Sequence, residues 1–179
     1  MPYIPSGTEL LNPFQILERA GLREGMRCAD LGAGAIGHFV FPAARMVGKG
    51  GIVYAVDILQ SALSGIQSRM RMEGATNVKP IWSDIEVVGA APITAGSLDL
   101  VLVVNNVPNE AIIREAVRIL KPGGTLLVVD WKPGATPLGP PSKDRVDRER
   151  IKALGGAMRL VCIDTWEAGP YHYAVRFRK

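Results

Sequence analysis

The sequence has few of the residues that membrane spans, disulfide frameworks and metal centres require. Its 179 residues include two cysteines and two histidines, and no spacing typical of a metal site occurs among them. The longest apolar runs are a handful of residues, as at 100–104, whereas a membrane-spanning helix needs about 20. The N-terminus has no basic segment followed by an apolar core, the pattern of a secretory signal. We therefore expect a cytoplasmic protein without membrane insertion or a bound metal.

The bulk composition is that of an ordinary globular protein. Hydrophobic residues make up 47% and charged residues 21% of the chain, with a net charge of +4. Cys28 and Cys162 both lie in apolar strand patterns, so we expect two buried, reduced thiols. The mild positive charge neither requires nor excludes a nucleic acid partner, because the basic run at 143–152 also carries acidic residues.

Strand and helix patterns alternate along most of the chain. Apolar strand patterns occur at 26–31, 52–56, 78–82, 98–104 and 125–131, and helix patterns at 12–20, 38–47, 60–73, 108–120 and 143–154. A proline-rich loop covers 132–141, and two further strands at 159–166 and 171–178 flank an Ala-Gly-Pro turn. The order predicts an α/β fold: a doubly wound, mostly parallel seven-stranded sheet with helices on both faces and a C-terminal antiparallel hairpin.

A glycine-rich loop follows the first strand and points to a nucleoside. Gly32, Gly34 and Gly37 allow a sharp turn and close approach of a ligand to the backbone. Asp57 ends the next strand, 20 positions after Gly37, where a carboxylate can accept both hydroxyls of a ribose. The spacing Gly-x-Gly-x-x-Gly taken alone favours an NAD-type dinucleotide. Asp30, directly before the loop, instead favours a cationic cofactor without phosphate, such as S-adenosylmethionine.

Five segments, in order, resemble the class I S-adenosylmethionine-dependent methyltransferases. They read Asp-Leu-Gly-Ala-Gly at 30–34, Val-Tyr-Ala-Val-Asp at 53–57, Trp-Ser-Asp at 82–84, Gly-Ser-Leu-Asp-Leu-Val-Leu-Val at 96–103 and Leu-Lys-Pro-Gly-Gly-Thr-Leu-Leu at 120–127. Within the class, the chain is most similar to the group that includes ubiquinone/menaquinone-biosynthesis methyltransferases. The resemblance implies one Rossmann-like domain over 1–179, with an N-terminal segment (1–25), a cofactor-binding core (26–131) and a C-terminal part (132–179).

The resemblance also implies which residues hold S-adenosylmethionine. The glycine loop would hold the methionine portion, with Asp30 acting on its ammonium group, and Asp57 would hold the ribose. Asp84 would accept from the adenine amino group, or it is only a turn-former. Asn105 would orient the methionine end and the acceptor, whereas Asn106 is expected to cap the helix beginning at position 108. The implied cofactor-binding set is Asp30, Gly32, Ala33, Gly34, Gly37, Asp57, Ile58, Asp84, Ile85 and Asn105.

The loop departs from the resemblance in one respect. Many members of the class have their third glycine two positions after the second, whereas Ala35 and Ile36 separate Gly34 from Gly37 here. The extra position predicts a displaced loop near the methionine end of the cofactor. It also motivates an alternative in which the chain binds the cofactor without catalysing a reaction.

No residue stands out as a catalytic base, and the methyl acceptor is the least defined part of the prediction. His38 is expected to pack or cap, and His172 to lie at the surface or rim. The acceptor pocket would be formed by the N-terminal segment (Tyr3, Ile4, Ser6), the turn at 105–109, Trp131 with the proline-rich loop, and the hairpin aromatics. We expect a small-molecule acceptor. The alternatives are an RNA or protein acceptor, and a homodimer whose second subunit completes the pocket.

Overall fold

A computed structural model of the chain describes residues 7–106, 108–134 and 136–179. It contains a seven-stranded sheet in the order β3-β2-β1-β4-β5-β7-β6. The strands are β1 Arg27–Leu31, β2 Ile52–Asp57, β3 Val78–Trp82, β4 Leu98–Val104, β5 Leu120–Trp131, β6 Val161–Glu167 and β7 His172–Arg178. β1 to β5 pair in parallel, whereas β7 pairs antiparallel with both β5 and β6. The predicted doubly wound sheet with a C-terminal hairpin is confirmed.

Helices cover both faces of the sheet and enclose two apolar layers. They are α1 Gly7–Leu10, α2 Pro13–Ala20, α3 Val40–Val47, α4 Gln60–Glu73, α5 Glu110–Ile119 and α6 Arg148–Ala157. Buried side chains of α2, α3 and α4 form one layer with alternate residues of the parallel strands. Side chains of α5 and α6 form the other layer. The near-continuous apolar sequence of β4 follows from this, because its side chains are buried on both faces.

The order of the strands reverses between β1 and β4. Successive crossovers run from β1 to β2 and β3 in one direction, and from β4 to β5 in the other. Ligands of such sheets bind beyond the carboxyl ends of the strands at this reversal, because the chain segments that follow the two strands diverge there. The glycine loop after β1 and the Asn105–Asn106 turn after β4 therefore lie side by side.

Several predicted helix bounds were wrong, and capping explains two of them. The Asn109 side chain accepts a hydrogen bond from the Ile112 N–H, so α5 begins at Glu110 and not at Pro108. The Asp147 side chain accepts from Arg150 N–H, so α6 begins at Arg148. Residues 142–144 form a separate 3₁₀ turn. The helix after the glycine loop begins at position 40, two residues later than predicted.

The segment Lys-Pro-Gly-Gly at 121–124 was predicted as a turn before the fifth strand, and it lies inside β5. Leu120 pairs with Leu98, and regular pairing resumes at Thr125 opposite Leu100, so the intervening residues form an irregularity within the strand. The Gly123 N–H donates to the carbonyl of Lys179, which joins this irregularity to the C-terminal strand.

The two cysteines differ in their surroundings. Cys28 is fully buried in β1, and burial raises the pKa of its thiol well above the ordinary range. Cys162 is exposed on β6, an edge strand, so the expectation that both thiols are buried was wrong for Cys162. Within residues 7–106, 108–134 and 136–179, no helix has the length and apolarity needed to cross a membrane.

Candidate functional site

Two cavities adjoin at the carboxyl ends of β1, β2 and β4. The larger, of about 470 Å³, is lined by Gly32, Gly34, Asp57, Ile58, Leu59, Asp84, Ile85, Glu86 and Asn106. The smaller, of about 140 Å³, is lined by Leu11, Asp30, Gly32, Ala33, His38, Phe39, Val104 and Asn105. Gly32 belongs to both linings. Nine of the ten predicted cofactor residues line one or both cavities, and the tenth, Gly37, closes the loop behind them.

Asp57 is held by the backbone of the glycine loop and of its own strand end. One carboxylate oxygen accepts from the Gly34 N–H and the other from the Leu59 N–H, each at 2.9 Å. A carboxylate has about four lone-pair positions, so two hydrogen bonds leave room for two ligand hydroxyls. The same contacts fix Gly34 at φ 64°, with open space where a Cβ would stand. The loop and the carboxylate therefore form one preorganised unit.

The extra position in the loop is accommodated by α4. The Ala35 carbonyl oxygen lies against Gly65, where a Cβ would be 2.6 Å away. The Arg69 guanidinium donates to the Ile36 carbonyl at 2.7 Å. Ile36 is 73% exposed, so the added residue points outward and not into either cavity. The loop therefore packs on α4 through Ala35 and Ile36, and neither of these residues lines the smaller cavity.

Asp30 is a buried carboxylate without a full set of partners. It is 3% exposed, and its Oδ1 has no hydrogen-bond partner among the described residues. Burial, with a smaller contribution from the negative charge of Asp57, raises the pKa of Asp30 to about 7. A cation placed beside Asp30 would strongly stabilise its ionised form, because the carboxylate is neither solvated nor fully hydrogen-bonded.

The far end of the larger cavity carries an acidic turn and exposed apolar side chains. Asp84 Oδ1 accepts from the Glu86 N–H at 2.8 Å, so Asp84 does form a turn while also lining the cavity. Ile58 is 54% exposed beside it. The Trp82 indole N–H donates to the Ile58 carbonyl at 2.8 Å, which fixes this apolar wall.

Two adjacent asparagines follow β4, and they differ in backbone conformation and in side-chain contacts. Asn105 adopts φ 54°, a left-handed conformation that asparagine tolerates better than most residues. Its N–H donates to the Val129 carbonyl. Asn106 was expected to cap a helix, and this was wrong: its side-chain amide donates to the carbonyls of Leu31, Gly32 and Val104. The turn therefore returns the chain across the end of β1.

His38 links the smaller cavity to the segment before α2. Its Nε2 lies 2.9 Å from the Leu11 carbonyl oxygen, a group that only accepts, so Nε2 carries the proton. The ring also packs edge-on against Phe39, at 5.4 Å between centroids. The predicted packing and capping role fits these contacts.

Trp131 and His172 lie beyond β4, where the acceptor pocket was predicted. His172 is 1% exposed, so its expected place at the surface or rim was wrong. Its ring packs on Trp131 at 4.0 Å between centroids, with the two planes tilted by 44°, and neither ring nitrogen has a partner in the part of the chain that the structure describes. Burial, followed by the positive charges of Lys132 and Arg145, lowers the pKa of His172 to about 4. The imidazole is therefore neutral at pH 7.

The proline-rich loop is fixed over Trp131 by one guanidinium. Gly139 packs so closely on the Trp131 ring that a Cβ would lie 2.6 Å from it. Arg145 donates to five oxygens of the loop, those of Lys132, Gly134, Leu138 and Pro140 and the Thr136 hydroxyl. The predicted contributors Tyr3, Ile4 and Ser6 lie outside the described residues.

The charges around the two cavities suit a cationic cofactor. Among the described residues, four carboxylates line them, those of Asp30, Asp57, Asp84 and Glu86, and no lysine or arginine does. A diphosphate would meet net repulsion at this edge of the sheet, whereas a sulfonium and an ammonium would meet attraction. The donor set therefore fits S-adenosylmethionine better than a dinucleotide. Fold and site together define an α/β protein for a nucleoside cofactor that carries positive charge.

Comparison with known proteins gives the same class. A family model described as a methyltransferase domain matches residues 22–166. The ubiquinone/menaquinone biosynthesis C-methyltransferase of Laribacter hongkongensis is 34% identical over 162 residues, covering 88% of this chain and 61% of the relative. The corresponding protein of Azotobacter vinelandii is 33% identical over 129 residues, covering 69% and 49%. The chain thus spans about half to three fifths of these relatives.

Solved structures share the whole fold. A crystal structure of a SAM dependent methyltransferase from Aquifex aeolicus superposes with a TM-score of 0.89 at 25% identity, covering 98% of this chain and 93% of that one. Geranyl diphosphate C-methyltransferase from Streptomyces coelicolor, at 15% identity, shares the fold with a TM-score of 0.74 over 93% and 74% of the two chains.

The chain belongs to the methyltransferase domain family. The predicted resemblance to the class I S-adenosylmethionine-dependent methyltransferases is confirmed, and with it S-adenosylmethionine as the cofactor of the class.

Proposed function

We propose that this protein transfers a methyl group from S-adenosylmethionine to a small-molecule acceptor. The observation that carries the proposal is the pair of acid-lined cavities at the reversal of strand order, with Asp57 aimed by the Gly34 and Leu59 amides. When bound, S-adenosylmethionine supplies a methyl group on a positively charged sulfur that leaves as a neutral thioether.

In this proposal the larger cavity holds the adenosine and the smaller one the methionine. Asp57 accepts from the ribose hydroxyls, and Asp84 with the Ile85 backbone contacts the adenine, whose face packs on Ile58. The glycine loop from Gly32 to Gly37 shapes the passage between the cavities. Support comes from the open space above Gly34 and from the exposed apolar wall beside Asp84.

Asp30 and Asn105 would act at the methionine end. Asp30 supplies a carboxylate for the ammonium group, since its Oδ1 lacks any partner among the described residues. Asn105 lines the same cavity at the end of β4, on the side toward Trp131. Methyl transfer requires the acceptor in line with the methyl group, so the acceptor would lie over the ends of β4 and β5.

A carbon acceptor on a quinol is the form of the proposal that the relatives favour. Two of them are named ubiquinone/menaquinone biosynthesis C-methyltransferases. Trp131, at the end of β5, is a half-buried aromatic side chain next to the proposed place of the acceptor. An RNA or protein acceptor and a homodimeric site stay predictions from the sequence.

Titration calorimetry followed by a transfer assay tests the proposal. S-adenosylmethionine and S-adenosylhomocysteine should bind with one site per chain, whereas NAD should not. Labelled methyl should then appear on quinols that lack a ring methyl group, and RNA and a protein mixture serve as comparison acceptors. Binding of NAD without binding of the two sulfur compounds would contradict the assignment of the cofactor. Transfer only to RNA or protein would refute the small-molecule part.

A further inference from the structure

Strands β1 and β4 end next to each other, and the side chain of Asn106 joins the two strand ends. β1 continues into the glycine loop on one side of the sheet, and β4 continues toward α5 on the other. Strand pairing between β1 and β4 stops at Leu31 and Val103. The Leu31 carbonyl belongs to this last pair, and the carbonyls of Gly32 and Val104 lie just beyond it. Backbone groups that stay unpaired at a partly buried position are costly.

The Asn106 side-chain amide donates hydrogen bonds to these three carbonyls. Its Nδ2 lies 2.8 Å from the Val104 oxygen, 3.0 Å from the Leu31 oxygen and 3.2 Å from the Gly32 oxygen. An amide nitrogen has two hydrogens, so three acceptors share them. Because all three neighbours of Nδ2 are acceptors, the orientation of the amide is fixed by its surroundings.

Gly32 is shaped to receive this amide. A Cβ built on Gly32 would lie 2.2 Å from Asn106 Nδ2 and 2.4 Å from Oδ1, so the amide stands where any other residue would place its side chain. Gly32 also has φ 85° and donates its N–H to the Val56 carbonyl. Of the residues that the structure describes, Gly32 alone lines both cavities. A contact that fixes the conformation of Gly32 therefore also fixes the shape of the passage between the two cavities.

We infer that Asn106 is a positioning residue for the cofactor: its amide joins β4 to the glycine loop and holds Gly32 in the conformation that binds S-adenosylmethionine. The inference rests on the proposed placement of the cofactor in the two cavities. The left-handed conformation of Asn105 directs Asn106 back across the strand ends. We call the Asn106 amide, with its hydrogen bonds to the Leu31, Gly32 and Val104 carbonyls, the clasp.

Asn77 provides a matched control on the opposite edge of the sheet. It is also an asparagine whose Nδ2 donates to backbone carbonyls, those of Ala44 and Gly48, each at 2.8 Å. It precedes β3 at the amino end of the strands and lines neither cofactor cavity. Asn77→Ala thus removes the same chemistry and should lower stability without touching the glycine loop.

The decisive experiment measures dissociation constants of S-adenosylhomocysteine by calorimetry at 15 °C, where folding of each variant is checked by circular dichroism. We expect Asn106→Ala to weaken binding about tenfold, which is close to 1.4 kcal/mol, and Asn77→Ala to stay within twofold of the parent. Asn106→Asp should weaken binding at least as much, because a carboxylate cannot donate to three carbonyls. Parental affinity in Asn106→Ala, or tighter binding in Asn106→Asp, would overturn the inference.

Amide hydrogen exchange in the ligand-free protein separates this inference from the proposed function. In Asn106→Ala the N–H groups of Gly32 and Ala33, both of which donate to the Val56 carbonyl, should exchange at least tenfold faster than in the parent. In Asn77→Ala they should not change. Unchanged exchange in Asn106→Ala refutes the clasp even if the cofactor binds. Faster exchange in a protein that does not bind S-adenosylhomocysteine leaves the clasp in place and refutes the proposed function.

Discussion

Cofactor affinity should depend on pH through Asp30. Its pKa in the ligand-free protein is raised to about 7, first by burial and then by Asp57, whereas an ammonium placed beside it would lower that pKa. Binding therefore favours the ionised carboxylate, and affinity must fall as pH falls below about 7. The ionised fraction drops from about one half at pH 7.0 to about 3% at pH 5.5, since each pH unit below the pKa is a factor of about ten.

The dissociation constant of S-adenosylmethionine should therefore rise about 15-fold between pH 7.0 and pH 5.5. The window is set below the ordinary pKa of an α-amino group, about 7.7–8.0, so the ligand keeps its ammonium charge. Calorimetric titrations at constant ionic strength in several buffers give the dissociation constant, and they also show the uptake or release of protons on binding. At pH 7.0 a bound cofactor should release about half a proton per site from Asp30.

Asp30→Asn separates Asp30 from the other groups that face the site. The asparagine should bind more weakly at pH 7.0 and show a flat profile down to pH 5.5. A variant that keeps the slope would show that a group other than Asp30 carries the pH dependence. A parent protein with a flat profile would refute the reasoning about Asp30.

Three further predictions concern stability and binding. Asp57→Ala should weaken S-adenosylmethionine binding by about 1.5–3 kcal/mol, the usual contribution of a charged hydrogen-bond acceptor, and calorimetry with a loss below experimental error would contradict the ribose assignment. Asp30→Asn should raise the free energy of unfolding at pH 7.5 by at most about 4 kcal/mol. The reason is that the raised pKa of Asp30 makes the parent protein lose stability as the pH rises from about 4 to 7. Urea titrations that show no gain in the variant would count against this prediction. Arg145→Lys should speed hydrogen exchange in residues 132–134 and 136–141, because an ammonium cannot reach five separated oxygens, and unchanged protection would mean that Trp131 packing alone fixes the loop.

Local signals predicted those parts of the fold that depend on neighbouring residues. α4 was predicted at Gln60–Glu73 and β3 at Val78–Trp82, and both bounds are confirmed. The Gly74 stop explains the end of α4, since glycine takes the left-handed conformation there at φ 64°. The start of α6 was predicted at position 143 and was wrong, because Asp147 caps the helix and residues 142–144 form a separate 3₁₀ turn.

The parts of the site that were missed depend on which strands become neighbours. Asn106 could be recognised as a clasp only once β4 was known to lie next to β1. His172 is buried because the register between β5 and β7 places it opposite Trp131, and its sequence context between two tyrosines gives no such signal. Asp57 and the loop glycines were easier to predict, because they lie within one β-α-β unit, where sequence spacing already fixes geometry.

The docking of the glycine loop on α4 has a consequence for how this fold can vary. The Ala35 carbonyl occupies the space that a side chain at position 65 would need. The length of the loop therefore limits the size of the residue that the facing helix can carry at this position. A chain whose loop is one residue shorter could carry alanine or serine at that position. Libraries that lengthen or shorten the loop should therefore be built with position 65 varied at the same time, because either change alone leaves a gap or a collision.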